Sequence, residues 1–213
     1  MTNLANKYKN IIFDLGGVLL NIDYSSATRA FSLLGIDNFD KLFSQAQQSH
    51  LFDLYEKGQV SSEVFRNHIK SCFSKPIDDS TIDKAWNTML LDFPPKRLRL
   101  LEQVKKTNRT FLLSNTNDIH MQHINAYLQK DFGIADLSAH FEKVYLSYQV
   151  GMRKPDAEIF ELVLSENKLD PNETLFIDDS IQHIEGAKKL GIHTYWLDVK
   201  KESVLDVFNL EEE

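Results

Sequence analysis

One cysteine, five prolines and eight glycines in 213 residues exclude several architectures at once. Cys72 has no partner for an intrachain disulfide, so the fold must rest on its core, and a reducing cytoplasm is the expected setting. The scarcity of proline and glycine excludes collagen-like and low-complexity chains. No uninterrupted apolar run is long enough to span a bilayer. Met1-Thr2-Asn3-Leu4 lacks a basic stretch leading into an apolar core, so no secretory signal is expected. A basic surplus is missing too: a net charge of −7 disfavours nonspecific nucleic-acid binding and attachment to anionic membranes. An acidic chain can still take an anionic substrate where a metal ion inverts the local field. What is present is ordinary for a globular protein, with 42% hydrophobic and 26% charged residues. The length allows one good-sized core, or a core with a smaller lid. No oligomeric state is implied.

The most informative residue is Asp14, which ends the apolar run Ile11-Ile12-Phe13 and precedes Leu15-Gly16-Gly17. Open α/β sheets place their chemistry at such strand ends. The pattern recurs where Thr174-Leu175-Phe176-Ile177 runs into Asp178-Asp179-Ser180. Between them, strand and helix signals alternate. A helix is expected over Lys96–Lys106 after Pro94-Pro95, and a strand over Thr110–Leu113 ending in Ser114-Asn115-Thr116-Asn117. Asp118 suits the N-cap of a helix through Ile124 and Leu128. Then follow a strand over Phe141–Tyr148, a helix over Asp156–Asn167, the strand Thr174–Ile177, a helix over Ile184–Leu190 ended by Gly191, and a strand over Ile192–Leu197. This alternation predicts an α/β fold with a parallel sheet covered on both faces.

Residues from about Ser25 to Phe93 read differently, with helical stretches at Ser25–Leu34, Leu42–Leu54, Ser62–Phe73 and Thr81–Leu90 and no strand between them. Ser61-Ser62-Glu63 marks one helix start. Four helices inserted after the first strand suggest a lid. The expected division is 1–22 with 94–213 as the core and 23–93 as a helical cap. The Glu211-Glu212-Glu213 tail is expected to be solvated and frayed.

Phosphoryl transfer through an aspartyl intermediate needs a carboxylate nucleophile, a cation, donors for the non-bridging oxygens and control of water. Asp14 suits the nucleophile. Asp179 suits Mg²⁺, a hard cation that prefers oxygen ligands, and Asp178 beside it suits a more remote or water-mediated ligand. Ser114 can donate its hydroxyl to phosphate, and Lys154 in Gly151-Met152-Arg153-Lys154-Pro155 can neutralise both the nucleophile and the phosphate. Taken singly, each has an ordinary explanation as a cap, a polar turn or a solvated lysine. Their joint order, each at a strand end or in the adjoining loop, points to one site.

On these residues the chain resembles the haloacid dehalogenase-like (HAD) hydrolase superfamily. Phe13-Asp14-Leu15-Gly16-Gly17-Val18, Leu113-Ser114-Asn115, Lys154-Pro155-Asp156 and Ile177-Asp178-Asp179-Ser180 resemble its four motifs, over roughly residues 9 to 197. Asp-Leu-Gly, Leu-Ser-Asn-Thr-Asn and Tyr-Glu-Lys-Gly most resemble the glucose-1-phosphate phosphatase branch, with the N-terminal phosphatase domains of epoxide hydrolases close by. The resemblance implies a Rossmann-like core with a small helical cap, Mg²⁺ dependence and a small phosphorylated metabolite as substrate. It makes Asp14 nucleophile and metal ligand, completes the metal shell with the Gly16 carbonyl and Asp179, and gives Ser114 and Lys154, with Asn115, to the phosphate end.

One departure matters. Most phosphatases of this family carry a second aspartate two positions after the nucleophile as general acid and base, and this chain has Gly16 there. A positioned proton donor contributes ~10²–10⁴ in rate, about 3–5 kcal/mol of barrier. Good leaving groups, such as the anomeric oxygen of a sugar 1-phosphate, are therefore expected over ordinary alcohols. In the cap, Tyr55-Glu56-Lys57-Gly58 resembles the loop lowered over the phosphate, with Glu56 on sugar hydroxyls and Gly58 permitting the turn. Trp86, Tyr24 and Phe52 are expected to pack rather than to platform a sugar. His120 and His123 are expected on a helical surface, and His183 is expected to orient Lys154 or Asp179. The competing readings are a metal-independent dehalogenase, disfavoured because Asp178-Asp179 would crowd Asp14 with uncompensated charge, and a phospholigand-binding module without turnover.

Overall fold

The computed structural model describes residues 4–36, 39 and 50–209. Five short strands form one parallel sheet in the order β3-β2-β1-β4-β5, with β1 Asn10–Phe13, β2 Arg109–Ser114, β3 Lys143–Leu146, β4 Thr174–Asp178 and β5 His193–Trp196. β1 lies at the centre, pairing Phe13 with Leu112 of β2 on one side and with Ile177 of β4 on the other. Because successive strand residues face opposite sides, Ile11 and Phe13 enter one apolar layer and Ile12 the other. The first layer is closed by α5 (Pro95–Val104), α6 (Asp118–Phe132) and α10 (Val204–Val207), through residues such as Leu101, Ile124 and Leu205. The second is closed by α8 (Ala157–Asn167) and α9 (Ile181–Lys188), through Ile159, Phe160, Val163 and Ile184. A sheet buried on both faces needs continuous apolar strands, which is what β1 and β4 supply.

Between β1 and α5 the described residues form four helices, α1 Tyr24–Leu34, α2 His50–Glu56, α3 Ser62–Ser71 and α4 Asp79–Asn87. They surround their own apolar cluster of Phe31, Phe39, Phe52, Phe65, Ile82 and Trp86, which Ile119 of α6 also joins. Three start on side-chain caps: Asp23 accepts from the Ser25 N–H, Ser61 from Val64 and Asp78 from Thr81. Residues 42–49 of the helix expected at Leu42–Leu54, and the acidic tail 211–213, lie outside the described residues. Among the described residues no helix is long and apolar enough to cross a membrane.

Some boundaries differ from expectation. Helix α6 is capped by Asn117, whose side-chain oxygen accepts from the His120 N–H at 3.0 Å, leaving Asp118 as its first residue. Strand β3 stops at Leu146, and Ser147–Val150 forms a short helix, α7. The Ser147 hydroxyl is used there to bind the backbone N–H and C=O of Thr116, at 2.9 and 3.0 Å. Helix α9 begins at Ile181, three residues earlier than its apolar pattern suggests.

Candidate active site

The C-terminal ends of β1, β2 and β4 bring Asp14, Ser114 and Asp178 to one edge of the sheet, where open α/β sheets bind ligands. The Asp14 N–H donates to Ile177 O at 2.9 Å, extending the β1–β4 pairing to the acid itself. Above this edge lies a cavity of about 70 Å³, room for roughly five water positions at ~10–15 Å³ each. Asp14, Gly16, Ser114, Asn115, Asp179 and His183 line it from the sheet side. Tyr24, Glu56, Trp86 and Met89 close it from the inserted helices.

Lys154 is fully buried beneath the cavity rather than lining it. Its ammonium donates to Asp14 Oδ1 at 2.8 Å, Asp178 Oδ2 at 2.7 Å and Leu113 O at 2.8 Å, which accounts for all three of its protons. The expected neutralisation of Asp14 is thus direct, whereas a phosphate contact would require Lys154 to give up one of these partners. Asp14 Oδ1 also accepts from the Leu15 N–H at 2.7 Å. Burial alone would lower the Lys154 pKa, but Asp14 and Asp178 outweigh it and hold it above the ordinary lysine value. Burial would likewise raise Asp178, yet Lys154 and His183 bring it down to about 2. Asp14 goes the other way, up to about 7: burial is the main cause, Asp178 and Asp179 add to it, and Lys154 offsets it only in part.

Asp178 is wholly engaged. Its Oδ1 accepts from the Ser180 N–H at 2.7 Å, and both its oxygens lie 3.0 Å from His183 Nδ1. His183 therefore orients Asp178, not Lys154 or Asp179 as expected. Asp14, Asp178 and His183 lie close enough together to share an ion, but their mutual bonds and Lys154 already occupy Asp178, so the side facing the cavity is Asp14, Gly16 and Asp179. Three carboxylates crowd one ammonium here, and their negative charge adds to burial in raising the Asp14 pKa. The backbone also approaches closely: a Cβ at Gly17, where φ is +75°, would sit 2.5 Å from Asp179 Oδ2. An oxygen-rich, over-charged cradle closed by a glycine fits a hard divalent cation.

Asn115 pairs reciprocally with the backbone of Lys154, its Nδ2 donating to Lys154 O and its Oδ1 accepting from the Lys154 N–H, both at 2.9 Å. Its side chain thus fixes the lysine while its edge faces the cavity. Glu56 lines the cavity and meets Arg153 at 3.1 Å. Gly58 is not among the lining residues. At φ +64° its backbone abuts Tyr148, and a Cβ there would come closer than 3.0 Å to Tyr148 O. Trp86 and Phe52 sit in the apolar cluster of the inserted helices, while Tyr24 and Trp86 also face the cavity.

A family model described as a haloacid dehalogenase-like hydrolase matches residues 8–191. The chain belongs to that family. It is 32% identical over 187 residues to D-ribitol-5-phosphate phosphatase of Bacteroides thetaiotaomicron, covering 88% of this chain and 90% of that protein. It is 27% identical over 199 residues to bifunctional epoxide hydrolase 2 of Sus scrofa, covering 86% of this chain but 35% of that longer protein. Among solved structures, a HAD family enzyme from Bacteroides thetaiotaomicron superposes with a TM-score of 0.84 at 37% identity, over 92% of this chain and 96% of that one. That relative, an aspartate-to-alanine mutant, holds magnesium and inorganic phosphate.

In this HAD-like hydrolase the sequence-level reading missed His120. Expected on a helical surface, it is buried, stacks on Trp86 and lines the cavity. Arg153 was passed over too, although it stands beside Lys154 in the same loop and faces the cavity. Its neighbour in the motif was the one available signal.

Proposed function

We propose that this protein is a Mg²⁺-dependent phosphatase that hydrolyses a small phosphate monoester through an aspartyl phosphate on Asp14. The observation that carries the reading is Asp14 itself, held at the end of β1 by Lys154 and the Leu15 N–H and opening into a cavity shared with Ser114 and Asp179. Asp14, the Gly16 carbonyl and Asp179 would hold the cation, with Asp178 supporting them through Lys154. When bound, the cation supplies charge compensation that lets one anion approach another. Magnesium and phosphate in the 37% identical HAD relative support this assignment.

Asp14 attacks phosphorus, the ester P–O bond breaks, and the departing oxygen takes its proton from solvent because Gly16 offers none. Water then cleaves the acyl phosphate and returns the carboxylate. Ser114 donates its hydroxyl to a phosphate oxygen. Lys154 aims Asp14 and favours its ionised form, which the cation would complete, and Asn115 holds Lys154. Glu56 is placed to accept from hydroxyls of the substrate, and Gly58 lets the inserted helices sit close to the core.

The absence of an acid at Gly16 favours a sugar 1-phosphate, whose anomeric oxygen leaves more readily than a simple alcohol. The 32% identical relative, named for D-ribitol 5-phosphate, favours an acyclic polyol phosphate. Phosphate release from a panel containing both, with Mg²⁺ and with EDTA, tests the reading. Activity that needs Mg²⁺ and disappears in Asp14→Asn is expected. Undiminished turnover in that variant would remove Asp14 as nucleophile. Tight binding without turnover would leave a phospholigand-binding module, and chloride release from 2-chloropropionate in EDTA would restore the dehalogenase.

A further inference from the structure

A buried polar group of the cavity that the chemistry above does not use is His120, 6% exposed, in the first turn of α6. Its ring stacks on Trp86 at 4.8 Å between centroids and 18° between planes. Its Nδ1 lies 2.9 Å from the side-chain oxygen of Asn87, the last residue of α4. A carbonyl oxygen only accepts, so Nδ1 carries the proton, and a neutral imidazole then keeps a lone pair on Nε2. Burial, with a smaller contribution from His123, lowers the His120 pKa to about 3, so the ring is neutral at physiological pH. Among the described residues nothing bonds to Nε2. The ring lines the cavity, which leaves Nε2 as an acceptor that a substrate must satisfy once water is displaced.

Without a proton on Nε2, His120 does not replace the acid missing at Gly16. Leu20, Met89 and Ile124 line the same cavity, and an uncharged hydroxyl donor costs less to desolvate there than an ammonium. We propose that His120 is a specificity-determining residue whose Nε2 accepts a hydrogen bond from a hydroxyl on the carbon chain of the substrate, so that the site selects polyhydroxylated phosphate monoesters over alkyl and aryl ones. This rests on the phosphatase reading and names its substrate class. The inserted helices act at one remove, because Asn87 sets the tautomer and Trp86 holds the plane of the ring.

The test compares the parent protein with His120→Phe, which keeps a ring on Trp86, using D-ribitol 5-phosphate, glucose 1-phosphate and p-nitrophenyl phosphate with Mg²⁺. The loss of one buried hydrogen bond lowers kcat/KM for the polyol and sugar esters by about 10- to 100-fold, while p-nitrophenyl phosphate changes by less than about 3-fold on the same scale. Equal losses on all three, or no loss on any, would overturn the proposal. Nitrogen-15 shifts of the His120 ring in Asp14→Asn give a reading that needs neither turnover nor a folded His120 variant. The Nδ1–H tautomer is expected, with the Nε2 resonance moving on addition of D-ribitol 5-phosphate and not of p-nitrophenyl phosphate. An Nε2–H tautomer or an unmoved resonance would overturn it. A parent that releases phosphate from none of the esters would sink the phosphatase reading instead, and the ring shifts would still decide the His120 inference.

Discussion

Gly16 stands where most phosphatases of the family carry their acid, and the structure shows what fills that space. A Cβ at Gly16 would fall closer than 3.0 Å to Cδ1 of Ile22, more than ~0.5 Å inside the ~3.5–4.0 Å of ordinary carbon contact. Ile22 is partly buried and packs against both the core and the cluster of the inserted helices, so the end of its side chain must turn aside within that seam. Gly16→Asp alone therefore overpacks the site, at about 1–3 kcal/mol of stability, and melts earlier than the parent. Gly16→Asp with Ile22→Ala relieves the clash and places a carboxyl on the cavity wall. There it can protonate the leaving oxygen, a gain of ~10²–10⁴ in rate, or about 3–5 kcal/mol off the barrier. The assay is log kcat/KM against leaving-group pKa for a series of aryl and alkyl phosphates. The parent should fall steeply towards alkyl esters. The double variant should flatten that slope by accelerating the alkyl esters at least ~10²-fold while barely changing p-nitrophenyl phosphate. A folded double variant with the parent's slope would refute the claim that the missing acid limits leaving-group range.

Asp14 should cost the metal-free protein stability as pH rises. Asp14 is raised from 3.8 to about 7, so its protonated form favours the folded state fully below about pH 4 and that contribution is lost as pH passes about 7. Asp178, lowered to about 2, loses its contribution only below about pH 4, while buried His120, lowered from 6.5 to about 3, adds stability as pH rises towards about 6.5, so it is the difference between the parent and Asp14→Asn across pH 5.5 to 8 that isolates Asp14. Relative to Asp14→Asn, the melting temperature of the parent should fall towards the upper end, and Mg²⁺ should narrow that gap; a constant difference without metal would count against the raised Asp14 pKa. Lys154→Met removes the ammonium from between two buried carboxylates and should destabilise the fold at pH 8 by about 3–5 kcal/mol in denaturant titrations. The loss should shrink near pH 5.5, where Asp14 takes up a proton, and equal stability at pH 8 would contradict the shared-ammonium geometry.

Much of this site was legible in the sequence because parallel strands convert chain order into position. An apolar run ending in Asp14, Ser114 or Asp178 declares which edge of the sheet the polar group reaches, and strand pairing does the rest. Partnership was not legible. Whether Lys154 meets phosphate or closes on Asp14, Asp178 and Leu113 O depends on how the loop carrying it turns under the sheet edge, and that turn is held by Asn115, just past the end of β2. His183 stands five residues from the carboxylate it orients, yet two aspartates and a lysine were all within range on sequence grounds. His120 failed for a different reason. Helical periodicity describes α6 alone, while the ring is buried by Trp86 and Asn87 from α4, more than thirty positions away.

The loop before α8 shows why partners matter more than positions here. Lys154 turns inward and is lost beneath the catalytic floor, while Arg153 turns outward and meets Asp53 at 2.6 Å and Glu56 at 3.1 Å on α2. Lys57, next along, reaches Asp156 at 3.1 Å, on the far side of the same loop. Two adjacent cations thus divide the work, one neutralising Asp14 and the other meeting the helix that carries Glu56 to the cavity. The outer carboxylates Asp53 and Asp156 are 32% and 48% exposed, and ion pairs open to solvent contribute only ~0–1 kcal/mol each, so this seam is held less tightly than the pairs beneath it. The buried pairs of Lys154 sit at the other extreme, where removing one partner strands a charge. A single tripeptide, Arg153-Lys154-Pro155, therefore joins the most permanent contact in the site to one of its more yielding ones.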